Sequence, residues 1–177
     1  AQERKPRRIL FFTKSSGFIH DVVKPGPDGT TFAGKALAGL AARNGWEVVE
    51  SKDGSLFTPE YVDGFDALFF YSSGDLTEPG RDGEKPMTRE GKAALLEAVA
   101  KGKGFVGAHC ASDTFHTSPG RTGRYRDGGE KTDPFLRMLG GEFLSHGAQQ
   151  KGKMVHSGTA FPGIPSGFEL TEEWYTF

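Results

Sequence analysis

Three residues carry the side-chain chemistry best suited to moving a proton: His20, His109 and Asp113. Imidazole titrates near neutrality, so a histidine can take or give a proton at physiological pH, and a nearby carboxylate can orient it or share that proton. His109 stands where the apolar run Gly104–Gly107 turns abruptly into His, Cys, Ser, Asp and Thr. A run of that kind reads as a buried parallel strand that delivers polar side chains at its carboxyl end. The chemistry these residues support is proton abstraction, with His109 as general base and His20 or Asp113 orienting it or sharing the proton. Ser15, Ser16, Ser73, Asp75 and Ser112 fall at the ends of neighbouring apolar runs and are the candidate substrate contacts. A second chemistry competes with the first. His20, His109 and His146, with a late carboxylate such as Glu172 or Glu173, are suitable ligands for a divalent metal such as Zn²⁺. None of them shows a compact spacing such as H-x-x-x-H, and the identity of any cofactor stays open.

Each of these residues also has a plainer role open to it. Asp113 can cap the turn after the strand, His109 can be a hydrogen-bonded core histidine, and His20 can tie a loop. His116, beside a long glycine-, arginine- and aspartate-rich loop from Thr117 to Lys131, reads as exposed, and His156 reads as surface.

The elements that must position these groups follow from periodicity. Ile9–Phe12 is a first apolar strand, and Thr13–His20 is the loop at its carboxyl end. Thr30 or Thr31 caps a helix in which Phe32, Ala36 and Leu40, with Ala33, Leu37 and Ala41, recur at i+4 until Asn44-Gly45 stops it. Trp46–Glu50 is a second strand, a helical turn follows Thr58, and Ala67–Tyr71 is a third strand ending in Ser72, Ser73, Gly74 and Asp75. Thr88 opens a helix with Leu95, Leu96 and Val99 as its buried stripe, a Glu97–Lys101 pair and a stop at Gly102. The fourth strand leads to His109. Further on, Thr132-Asp-Pro caps a short helix to Leu139, and Gly141–His146 and Lys153–Ser157 read as short strands. The alternation implies an α/β fold: a doubly wound, mostly parallel sheet with right-handed crossovers and helices on both faces. In such sheets ligands sit at the carboxyl ends of the strands, where His20, Asp75 and His109 all fall.

Composition sets the outer limits. A chain of 177 residues holds one sizeable core, and a net charge of −1 with a pI near 6.6 offers no electrostatic footprint for nucleic acid or an anionic membrane. No apolar run is long enough to span a bilayer. One cysteine, Cys110, excludes an internal disulfide. The start at Ala1-Gln2, without Met, leans towards a periplasmic or secreted mature form over a cytoplasmic one, and oligomerisation stays open. The 26 glycines and 15 phenylalanines point to many tight turns around an aromatic core or pocket.

Five separated motifs, taken in order, resemble the trehalose-utilisation (ThuA-like) family. They are Phe12–His20, the Asp66–Phe70 strand ending Ser73-Gly74-Asp75, Gly104–Thr114, Leu139–Phe143 with His146, and Glu173-Trp174-Tyr175. The resemblance covers nearly the whole chain, as a single domain over residues 1–177. It implies a flavodoxin-like α/β fold similar to the class I glutamine amidotransferases, and a carbohydrate ligand, including sugars oxidised at C3. Members of the family run on past the Glu-Trp-Tyr motif, so the resemblance implies a chain cut short at its C-terminus. Trp174 and Tyr175 then either stack on a sugar face or plug the core. A ketone at C3 acidifies the neighbouring C–H, which is the proton a neutral His109 would remove. Amidotransferases place a nucleophilic cysteine directly after a Gly-x pair. Here His109 holds that position and Cys110 comes one residue late, which turns its side chain towards packing. A cysteine-dependent hydrolase and a non-catalytic sugar-binding or interaction module remain the alternatives to a sugar-modifying enzyme.

Overall fold

Four short apolar segments pair side by side, all in one direction. The computed structural model describes residues 5–117, 128–156, 163, 165 and 167–177. Strands β1 (Arg8–Phe12), β2 (Glu47–Ser51), β3 (Ala67–Phe70) and β4 (Gly104–Gly107) form a parallel sheet in the order β2-β1-β3-β4. Because successive side chains alternate across a strand, each strand feeds two layers. Leu10, Phe12, Leu68 and Phe70 are fully buried against Val62 of helix α2 (Pro59–Asp63) and Leu95 of helix α3 (Arg89–Ala100). Phe11 and Phe69, whose rings lie 5.2 Å apart, face the other way, towards helix α1 (Phe32–Asn44). Helices therefore cover both faces, as an alternating strand–helix order requires.

Aromatic rings fill the α2/α3 side. Phe12 packs on Phe57 and Phe70 at 4.7 and 5.1 Å, and Phe135 of helix α4 (Pro134–Leu139) meets Phe115 at 5.3 Å. The helix ends follow their sequence signals. Thr31, Thr58 and Thr88 cap α1, α2 and α3 through their hydroxyls, and Gly45 closes α1 in the left-handed region. Thr31 does more than cap. Its hydroxyl accepts the Gly34 N–H at 2.9 Å and donates to Glu50 Oε1 at 2.8 Å, tying α1 to β2. Thr31→Ala is therefore expected to destabilise the fold by about 1–2 kcal/mol, measured as a lower midpoint in urea unfolding.

Three expectations are corrected. On α1 the buried positions are Gly34, Leu37 and Ala41, whereas Phe32 and Leu40 are 72% and 41% exposed. The apolar stripe is wider than the contact α1 makes with the sheet, and its outer part borders an open groove of about 460 Å³ with Val22, Phe69 and Tyr71. The Gly141–His146 strand shrinks to β5 (Ser145–His146), because Gly140 ends α4 in the left-handed region and the chain has only begun to extend. The strand expected at 153–157 is instead β6 (Gln150–Val155), and its lysine-rich sequence hides any alternation. The loop expected from Thr117 to Lys131 lies largely outside the described residues.

By its contacts the chain divides into two compact units, Ala1–Glu142 and Phe143–Phe177. In the second, β6 pairs antiparallel with β7 (Gly167–Glu172), and β5 pairs antiparallel with β8 (Tyr175–Thr176). Among the described residues, no helix is long and apolar enough to cross a membrane.

Candidate active site

The carboxyl ends of β1, β3 and β4 continue into loops that lock together. Ser15 bridges to Ser73 and Gly74 bridges to Thr114 in parallel fashion, beyond the ends of the strands proper. Ser16 and Gly17 both donate their N–H to the Ser73 carbonyl, at 2.8 and 3.0 Å, and Gly74 donates to the Asp113 carbonyl at 2.6 Å. The approach is so close that a Cβ on Gly74 would lie 2.3 Å from the Gly17 nitrogen. Only glycine fits there, and Gly74 also has φ +74°. Behind the rim, the fully buried Lys14 ammonium donates to the Glu84 carbonyl at 2.8 Å and stands 3.9 Å from Asp82. Asp82 in turn accepts the Ser15 N–H at 2.7 Å. Burial lowers the Lys14 pKa, opposed by the negative charges of Asp82 and Glu84. This cluster pins the 80–85 loop beneath the rim.

On that rim two imidazoles meet. His20 Nε2 lies 3.1 Å from His109 Nε2, with the ring planes at 77°. Tyr71, one residue past β3, puts its ring 5.6 Å from each, and Phe18 packs edge-on to His20 at 4.9 Å. Two nitrogens at 3.1 Å have room for one proton between them: one donates and the other accepts with its lone pair. One ring therefore holds the proton that the other accepts, and a doubly protonated state would set two N–H groups against each other. His109 leads the 3₁₀ turn His109–Asp113 and has φ +49°. Left-handed backbone at a non-glycine residue is strained, and strain of this sort gathers where a side chain must be aimed.

The other candidate residues take up different positions. The partner shown for the buried Asp113 carboxylate is His116, whose Nε2 is 3.2 Å from Asp113 Oδ1. His116, expected to be exposed, is instead mostly buried between Asp113 and Glu142, whose Oε1 is 3.1 Å from its Nδ1. The two carboxylates draw the ring inward, a long-range attraction that local sequence does not display. Ser15 is buried and Ser73 fully so, and the Ser73 hydroxyl donates to the Phe18 carbonyl at 2.7 Å, holding the loop that carries His20. Ser16 Oγ reaches the Glu78 carbonyl at 3.3 Å, and Asp75 closes a local turn on Thr77. Ser112 Oγ is buried without a hydrogen-bond partner among the described residues. His146 belongs to the second unit, where it stands 3.6 Å from Glu173 and lies parallel to Tyr175. In the same unit the Trp174 indole N–H donates to the Gln150 carbonyl at 3.0 Å, and its ring covers Gly152 so closely that a Cβ there would lie 2.3 Å away. Tyr175 packs on Phe143 at 4.4 Å. Among the described residues, no cluster of three or more His, Cys, Asp or Glu side chains is gathered to hold a metal ion. Tyr71 and Glu142 were not apparent as site residues in the sequence. Tyr71 closes an apolar strand and reads as its last core residue, and Glu142 is a single acid after a glycine pair.

Cys110 is 3% exposed, and burial, with the nearby Asp113 charge, pushes its thiol pKa up to about 12. At pH 8 only about one molecule in ten thousand would carry the thiolate, the form that attacks. Iodoacetamide is expected to leave native protein unmodified at pH 8 and to label it fully in urea, and mass spectrometry reads both. Rapid labelling of the native protein would restore the cysteine nucleophile.

The comparisons with known proteins agree with this architecture. A crystal structure of a ThuA-like protein from Bacteroides uniformis superposes with a TM-score of 0.64 at 18% sequence identity, covering 99% of this chain. This chain spans 63% of the length of that protein. No curated protein matches the sequence. The trehalose-utilisation (ThuA) family matches residues 8–177, and with the parallel sheet and its ThuA-like structural neighbour this places the chain in the ThuA family.

Proposed function

We propose that the first unit is a sugar-modifying catalytic domain, acting on glycosides or sugars oxidised to a ketone at C3. The family's description, trehalose utilisation, supports a carbohydrate substrate. The observation that carries the reaction is the 3.1 Å contact between His20 and His109 on the carboxyl rim of the parallel sheet. A ketone acidifies the C–H beside it, and a neutral imidazole lone pair is a base of suitable strength near pH 7. His109, on its strained turn, takes the proton. His20, hydrogen-bonded to it, steadies the imidazolium that forms, and His109 gives the abstracted proton back to the enolate, which restores the neutral pair. Tyr71 supplies a flat wall beside both rings, a surface suited to the face of a pyranose. Ser112, with a buried hydroxyl in need of a partner, is a candidate substrate contact on the same turn. A set of 3-oxo glycosides incubated with the protein and followed by mass spectrometry tests this. Conversion of at least one is expected. No turnover across α- and β-linked glucosides and galactosides would overturn it in favour of a binding module.

A further inference from the structure

Lys52, one residue past β2, makes three hydrogen bonds that the proposed reaction does not use. Its Nζ donates to the Thr13 hydroxyl at 2.9 Å, the Thr13 carbonyl at 3.0 Å and the Val23 carbonyl at 2.8 Å. Thr13 and Val23 are fully buried and stand at the two ends of the loop that carries His20. We infer that Lys52 is a positioning residue, whose ammonium closes the 13–23 loop and so sets His20 against His109, an inference that rests on reading the two imidazoles as the catalytic pair.

Strand register brings the lysine to this place. Phe12 pairs with Ser51 where β1 and β2 end, and the Thr13 N–H donates to the Ser51 carbonyl at 3.0 Å. Lys52 therefore leaves the sheet beside the start of the loop. At the far end the chain turns through the 3₁₀ segment Asp21–Val23, where the Val23 N–H donates to the His20 carbonyl at 3.1 Å. The lysine thus grips the turn that His20 opens. On the near side the Ser73 hydroxyl holds the Phe18 carbonyl. Residues 18 and 23 are each fixed, and His20 lies between them.

The ammonium suits this task. It has three N–H donors, and three acceptors surround it, so its hydrogen-bonding capacity is met without a substrate. Burial lowers the Lys52 pKa, and the negative charges of Asp82, Glu50 and Glu84 oppose that shift. The Thr13 hydroxyl that accepts from Lys52 donates onward to Glu50 Oε1 at 3.4 Å, and the same oxygen accepts from the α1 cap Thr31 at 2.8 Å. Donation therefore runs one way, from Lys52 through Thr13 to Glu50. Removing the ammonium takes a donor from the carbonyls of two buried residues, a cost that the loop escapes by opening to water.

Nuclear magnetic resonance of nitrogen-15-labelled protein, with no substrate present, tests the inference. An N–H···N bond carries a coupling between its two nitrogens, and His20 Nε2 and His109 Nε2 should show one in the wild type. Lys52→Met keeps a long unbranched side chain and loses the charge, and the coupling is expected to disappear. Leu95→Ala, in the core on the α2/α3 side of the sheet, destabilises the fold without touching the loop and should retain it. Should Lys52→Met not fold, the wild type still decides. Its Lys52 ammonium is expected to exchange protons with water about tenfold or more slowly than that of Lys85, whose side chain is 73% exposed. Equal exchange at the two lysines, no coupling in the wild type, a coupling that survives in Lys52→Met, or one lost equally in Leu95→Ala overturns the inference. A wild type that shows the coupling, loses it in Lys52→Met and turns over no 3-oxo glycoside would instead overturn the catalytic proposal and leave the hold of Lys52 on His20 standing.

Discussion

His109→Asn is expected to lower kcat/KM towards a 3-oxo glycoside by about 10²- to 10⁴-fold, the usual contribution of a positioned general base. Asparagine is chosen because it tolerates the left-handed backbone at φ +49°. The turn should survive, and only the titrating nitrogen is lost. Because His20 Nε2 shares its proton with His109 Nε2 at 3.1 Å, the two act as a unit. The His20→Asn, His109→Asn double variant should therefore be little worse than either single change. Multiplied losses would mean that the rings work separately.

Gly74→Ala should have the largest effect on stability. The added Cβ would meet the Gly17 nitrogen at 2.3 Å and the Ser16 carbonyl carbon at 2.7 Å, backbone atoms that cannot swing aside. Forcing a methyl into a packed site costs about 1–3 kcal/mol, and alanine at positive φ adds about 1 kcal/mol. The sum, about 3 kcal/mol, corresponds to a fall in Tm of about 6–12 °C for a protein of this size. The loops that separate are those bearing His20 and His109, so activity should fall further than stability alone explains. Gly83→Ala provides the control. It also has positive φ, +80°, but its Cβ would meet no atom within 4 Å, so it should show only the smaller conformational cost.

The framework was legible in the sequence because its signals are local. Ile9–Phe12 and Ala67–Phe70 are unbroken apolar runs, Thr31 and Thr88 stand where a cap must, and Gly45 and Gly102 stop helices through backbone freedom alone. The carboxyl-edge placement of His20 and His109 followed from the same signals. What did not follow depends on partners distant in sequence. His116 looked exposed because nothing within a few residues of it predicts Glu142, and the hold of the Ser73 hydroxyl on the Phe18 carbonyl could not be read because it needs the β1 and β3 loops side by side. Phe32 and Leu40 repeat at helical spacing as buried residues do, yet periodicity reports which face is apolar and not how much of it another layer covers.

Proton exchange at carbon tests the central claim most directly. A 3-oxo glucoside incubated with the protein in deuterium oxide is followed by proton NMR, before any later bond breaking can obscure the first step. Deuterium should enter at the carbon beside the ketone far faster with the wild-type protein than in buffer, and His109→Asn should return the rate to that of buffer. Exchange at the buffer rate with the wild type, or an undiminished rate in His109→Asn, contradicts the account.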